Sequence, residues 1–187
     1  MLFRSLVDEL IPKKLSIGTL TQVLQNLLAE GVSIRDLRGV LLALAPVAEK
    51  VTDIDELTGV ARVALGRMIV QQYAQHGEEL GVMTLAPELE QVLHATVRRG
   101  QGGNVPVEPE LAEGLLRSVS RASQEEMNSD RPAVLVTSPM LRPWLSRILR
   151  PRIPGLSVLS YSELPEDTNL RVNTNITVQA RQGAVAA

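Results

Sequence analysis

The chain has no cysteine, and its 187 residues include only one phenylalanine, one tryptophan and two tyrosines. Without thiols, disulfide staples and cysteine-held metal sites are excluded, and a reducing compartment is allowed. With Phe3, Tyr73, Trp144 and Tyr161 as its aromatic set, any core has to be aliphatic. The scarcity also speaks against single-strand nucleic-acid binding, which stacks bases on several rings. Only two histidines occur, His76 and His94. They share no local helical face, so they are expected to be solvated or capping groups, and no metal or cofactor is expected. Long hydrophobic runs are missing too. The longest uncharged apolar stretch is "GVLLALAPVA", residues 39–48, half of the roughly 20 residues a bilayer span needs. The first residues, "MLFRSLVDELIPKK", carry two acids and no cleavage pattern, so no secretory signal is expected.

What is present is a soluble composition, 44% hydrophobic and 21% charged, with a net charge of −2 spread unevenly. Residues 1–77 hold 8 basic and 8 acidic groups, residues 78–130 hold 4 and 10, and residues 131–187 hold 7 and 3. The acidic middle and basic end are expected to face each other or a neighbouring copy rather than a polyanion.

Periodicity divides the chain. In "LSIGTLTQVLQNLLAEG", Leu20, Val23, Leu24, Leu27 and Leu28 recur at helical spacing, and Gly31 stands at a C′ position. The following "SIRD" predicts a helix capped by Ser33, with Asp36 in the role of the capping-box acid. It carries Leu37, Val40, Leu41 and Leu44 inward and stops near Pro46. A third helix runs from a cap at Asp53 to Gly77, with Leu57, Val60, Ala61, Ala64, Leu65, Met68 and Tyr73 on its apolar side. Beyond this the period changes. Strands are predicted at 80–85, 132–137, 156–161 and 170–178. Between them fall a helix opened by Pro87, a loop at 101–109, a helix with the stripe Leu111, Leu115, Val119 and Ala122, and a helix at 139–150. The fold class is therefore mixed α+β: a small all-helical bundle over residues 1–77, then an α/β subdomain with a small sheet over 78–178. Residues 179–187 read as a frayed tail.

The stretch "SPMLRPWLSRILRPRIPG", residues 138–155, holds four arginines and no acid. Leu141, Trp144, Leu145, Ile148 and Leu149 fall on one arc of a helix, leaving Arg142, Arg147 and Arg150 as a solvated face. A phosphate cradle needs free N–H groups and glycines at the helix start. Here the turn is "TSPML", with no glycine and with Pro139 lacking a donor. "LLAEGVSIRDLRGVL" has the outline of a helix-turn-helix, so a DNA-binding module over residues 20–45 is the alternative function. Asp36 stands between Arg35 and Arg38, however, and no basic wing follows. Neither histidine lies where it would suggest a base for a serine. The carboxylate pairs Glu78–Glu79, Glu125–Glu126 and Glu166–Asp167 read as solvated charge, so no enzyme is expected.

Four blocks in order carry a resemblance: "LSIGTLTQVLQNLLAEGVSIRDL", "LTGVARVALGRMIVQQYA", "TLAPELEQVL" and "AVLVTSPMLRPWLSRILRPRIPGLSVLSYSELP". Together they resemble the C-terminal cytoplasmic region of the type III export-gate proteins, the FlhA/SctV family, and "LRVNTNITV" looks closer to the flagellar branch. The resemblance covers roughly residues 6–178. It implies a component of protein export, not an enzyme, at the cytoplasmic face of the bacterial inner membrane. It also implies a nonameric ring beneath the channel that receives chaperones, substrates and other export-apparatus proteins. Residues 15–77 look like that family's third cytoplasmic subdomain and 78–178 like its fourth. The transmembrane half and first two cytoplasmic subdomains have no counterpart, so membrane association would run through that missing half, and no groove residues carry over. The exposed arginines Arg35, Arg38, Arg142 and Arg147 are the expected ring or partner contacts, since arginine is favoured at interfaces.

Overall fold

A computed structural model of the chain describes residues 13–100 and 107–178 together with Val7, Leu10 and Ile11. The expected tail, 179–187, and most of the expected loop, 101–106, lie outside the described residues. The chain divides into two compact units. One is helical and takes the chain up to Glu78 plus a short return segment, Ser162–Thr168; the other is α/β and takes the remainder.

In the helical unit, α1 (Ile17–Ala29) begins where Ser16 Oγ accepts the Thr19 N–H at 2.9 Å. It ends in a Schellman turn, with Val32 N–H on Leu27 C=O and Gly31 N–H on Leu28 C=O, both 2.9 Å. Gly31 sits at φ +75°, a left-handed conformation that costs a glycine almost nothing. Helix α2 (Leu37–Leu44) starts one turn later than "SIRD" predicts. Asp36, not Ser33, is its cap, accepting the Gly39 N–H at 2.9 Å. Asp and Ser are about equal as caps, so spacing alone could not choose between them. Val40, Leu41 and Leu44 are buried as expected.

The predicted third helix is two. Asp53 caps α3 (Ile54–Ala64) through the Glu56 N–H at 2.9 Å, and α4 (Gly66–Val70) follows a break at Leu65. Just past the break, a distant part of the chain comes close. A Cβ built on Gly66 would stand 2.1 Å from the Glu163 carbonyl oxygen, so only glycine admits the return segment here. The break shifts the inward face. Ala64 is exposed, whereas Ile69 and Val70 are buried.

The α/β unit is built on β1 (Glu79–Leu85), α5 (Pro87–Arg99), α6 (Pro109–Asn128), β2 (Val134–Thr137), α7 (Arg142–Leu149), β3 (Ser157–Ser160) and β4 (Asn169–Ile176). All strand pairs are parallel and the order is β3-β2-β1-β4, with Met83 beside Leu135 and Val134 beside Ser157. Strands one to three are laid down in one direction and β4 returns to the other side of β1. Strand order therefore reverses between β1 and β4, a topological switch point. A slip in register between Val82 and Met83 interrupts the β1–β4 ladder. The core is aliphatic as the composition requires: Leu93, Leu115, Val119, Leu135, Leu145 and Val158 are each at most 3% exposed. Trp144 joins it at 8%.

Candidate docking surfaces

The arginines expected to share a surface are not alike. Arg35, Arg38 and Arg147 are exposed, but Arg142 is buried at 3% exposure. The expected helix start at 139 is three residues early, but the burial has another cause. Arg142 lies about 20° from Leu149 at 100° per residue, and the buried face is wide enough to take in both Arg142 and Ser146. Leu141 is the N-cap and Arg142 opens the helix, turned inward with Trp144, Leu145 and Ser146. Arg35 lies before α2 and outside it, with the acidic cap Asp36 between it and Arg38. A recognition-helix start for DNA is poorly served by that arrangement.

The turn after β2 also has an occupant. Glu90 Oε1 accepts the Ser138 N–H at 3.1 Å and the Thr137 hydroxyl at 3.3 Å. An internal carboxylate thus holds the place a bound phosphate would need. One helical turn on from Glu90, His94 Nε2 lies 2.8 Å from Ser138 Oγ. Sequence spacing gave no sign of this pair, because it is made by packing across 44 residues. His94 Nδ1 has no partner among the described residues. Among the described residues, then, no group orients the imidazole as a nucleophilic triad requires. Glu90 and His94 instead clamp α5 to the end of β2. Burial, with the nearby Glu90 charge, pushes the Tyr161 hydroxyl above its ordinary pKa.

Two ionic clusters hold the units internally. In the helical unit, Arg62 of α3 is 2% exposed and donates to Glu30 and, at 2.7 Å, to Glu163 Oε2. Burial alone would favour neutral Arg62, but the Glu163 hydrogen bond and the Glu163 and Glu30 charges outweigh it, and its pKa rises. Arg67 adds an exposed pair with Asp167 at 3.1 Å. In the α/β unit, Glu126 was expected to be solvated. It is buried, accepting from Arg131 Nε at 2.7 Å and Asn173 Nδ2 at 2.9 Å. The Arg131 hydrogen bond, helped by Asn173 and opposed by burial, holds its carboxyl below the usual range. Glu126–Arg131 and Glu79–Arg171 also show the acidic middle meeting the basic end within one chain.

In the α/β unit a groove of about 730 Å³ lies between the first turns of α5 and α6. Its end wall is Ala86, just past β1, with Thr177 and Val178, just past β4. It therefore opens at the carboxyl ends of the two strands that flank the switch point, where open α/β sheets place their ligands. The floor is apolar: Leu89, Val92, Leu111 and Val178. The rim carries Glu88, Glu108, Glu110 and Glu113 against one base, Arg117. No residue of the groove was predicted. A signal was nonetheless present: "PEL" occurs at 87–89 and again at 109–111, and each copy opens a helix that lines one wall.

Comparison with known proteins places the chain. The pattern of the FHIPEP family matches residues 2–169. The chain belongs to the FHIPEP family. Relatives of this FHIPEP chain include the flagellar biosynthesis protein FlhA of Salmonella typhimurium, 42% identical over 91% of the chain and 24% of that protein. FlhA of Bacillus subtilis is 35% identical over 89% and 25%. The chain thus spans about a quarter of the length of the curated relatives it matches. Among solved FHIPEP-like structures, the nonameric cytoplasmic domain SctV-C of enteropathogenic E. coli superposes with TM-score 0.81 at 27% identity, over 93% of this chain and 52% of that one. MxiA of Shigella flexneri gives TM-score 0.80 at 26% identity, over 93% and 54%. The mixed α+β class predicted for the chain is that of these FHIPEP neighbours. None of the helices among the described residues is long and apolar enough to cross a membrane.

Proposed function

We propose that this chain is the C-terminal cytoplasmic part of a flagellar type III export gate, and that it acts through protein–protein contacts. The observation that carries the reading is 42% identity to FlhA over 91% of the chain. In this reading residues 15–77 correspond to the third cytoplasmic subdomain and 78–178 to the fourth. The whole protein sits at the cytoplasmic face of the inner membrane, and neighbouring copies form a ring that receives chaperones and export substrates. Support for the ring comes from the nonameric state of SctV-C. Arg35, Arg38 and Arg147 are the exposed cations assigned to ring or partner contacts; Arg142, being buried, is withdrawn from that set. The test is charge reversal in the full-length protein. Arg35→Glu with Arg38→Glu should weaken ring assembly and swimming motility while leaving the urea midpoint unchanged. Normal assembly and motility in both this variant and Arg147→Glu would remove the assignment.

A further inference from the structure

The groove at the switch point combines apolar and acidic lining residues, and its chemistry specifies an occupant. Val92 is 50% exposed on its floor, beside half-buried Leu111 and Val178. Such side chains gain from being covered. The rim is strongly acidic. Two helix starts contribute about +0.5 charge each, since α5 and α6 both begin at the groove. Four carboxylates against Arg117 exceed that, so the mouth stays negative. The helix starts offer no anion site either. Pro87 and Pro109 occupy the first turns, and no side chain caps them.

We propose that this groove docks a basic amphipathic segment of a partner protein, with apolar anchors on Leu89, Val92, Leu111 and Val178 and flanking Lys or Arg on the four glutamates. This deepens the docking reading above and rests on it, while lying in a different unit from Arg35 and Arg38. A helix laid in an apolar groove is recognised by anchors at i, i+3, i+4 and i+7, and rim charge selects its sign.

The test uses the whole chain and a fluorescein-labelled helix of roughly 16 residues, built from Leu, Ala and Lys with leucines at that spacing. A control peptide has every Lys replaced by Glu. Anisotropy should show the Lys peptide binding at least about tenfold tighter than the Glu peptide, with the difference shrinking in high salt. Methyl resonances of Val92, Leu111 and Val178 should shift on titration. Glu110→Lys with Glu113→Lys, and separately Val92→Asp, should each weaken binding at least about fivefold. Unchanged Trp144 emission certifies the α/β fold, and the milder Glu88→Gln serves if either variant unfolds. Equal affinity for both peptides, or undiminished binding by the folded variants, overturns the proposal. So does a wild-type dimer in sedimentation that Val92→Asp dissolves, which would make a second copy the occupant. Tighter peptide binding by Arg181→Glu would also overturn it, since the chain's own C-terminal residues would then be the competitor. Loss of motility in the Arg35/Arg38 variant with no peptide binding would sink the groove alone; the reverse pair of results would sink the ring contacts alone.

Discussion

The helical unit and the α/β unit solve the same problem with opposite materials. Each must fix chain segments that are distant in sequence. The helical unit does so with a buried cation: Arg62 reaches Glu30 at the end of α1 and Glu163 in the return segment. The α/β unit does so with a parallel hydrogen-bonded ladder over a mainly aliphatic centre, and among the described residues its one buried acid, Glu126, sits where Arg131 reaches it from the surface. Helices have no edge to pair with a passing strand. A segment that returns to them must be recognised by side chains, and a buried ion pair is directional where apolar contact is not. A sheet supplies direction through its backbone, so its buried polar groups, Glu126 and Arg142 among them, need not carry that task.

Single substitutions can break this contrast, and the lone tryptophan makes the two halves separately readable. Trp144 reports only on the α/β unit, whereas far-UV circular dichroism sees both. The largest effect is expected for Arg62→Ala, which strands Glu163 without its cation inside the helical unit. A loss of about 3–5 kcal/mol is expected in urea unfolding followed by circular dichroism. Arg62→Met with Glu163→Leu should recover at least half of it, because no charge is then left buried. Next, Leu135→Ala in the central strand β2, where Leu135 is 0% exposed, should cost about 2–4 kcal/mol read by Trp144. Removing a charge elsewhere does not restore that loss; only refilling the lost volume can.

Gly66→Ala comes third, at about 1–3 kcal/mol, since the Glu163 carbonyl must move to admit one methyl. Its signature is a loss confined to the helical unit. The smallest effect is on pH dependence. Glu126 in the folded protein titrates below its ordinary 4.5, so its contribution is complete above that value and fades as pH falls through the depressed one. The Trp144 urea midpoint should decline between about pH 5 and pH 3, and less steeply in Glu126→Gln. Asp167 is shifted the same way by the Arg67 hydrogen bond, but it lies in solvent and should add little. Equal pH slopes in wild type and Glu126→Gln would show that the buried carboxylate has no such role.

Most of the local structure was legible because local chemistry decides it. Asp53, Gly31 and Pro87 each close or open a helix with groups within four residues, and all three stand where the sequence puts them. Where two local options were equivalent, as with Ser33 and Asp36, the reading slipped by a turn. What failed entirely was decided at a distance. Gly66 gives no hint that a carbonyl from residue 163 will lie against it. Glu126 looks solvated until Arg131 and Asn173 are folded onto it, and His94 meets Ser138 only when α5 packs on β2. Arg142 stands at the edge of the apolar arc, about 20° from Leu149 at 100° per residue, and only the packed structure shows that the buried face is wide enough to include it.

The return segment Ser162–Thr168 has a consequence for how this molecule can be inherited. A crossover that joined residues 1–78 of one lineage to residues 79–187 of another would hand over an Arg62 socket without the Glu163 that grew up with it. The carboxylate and its guanidinium, encoded about 100 codons apart, have to travel together. Exchange by recombination is therefore tolerated only where both parents keep that pair and the glycine at 66. The two units are separate bodies but a single heritable part.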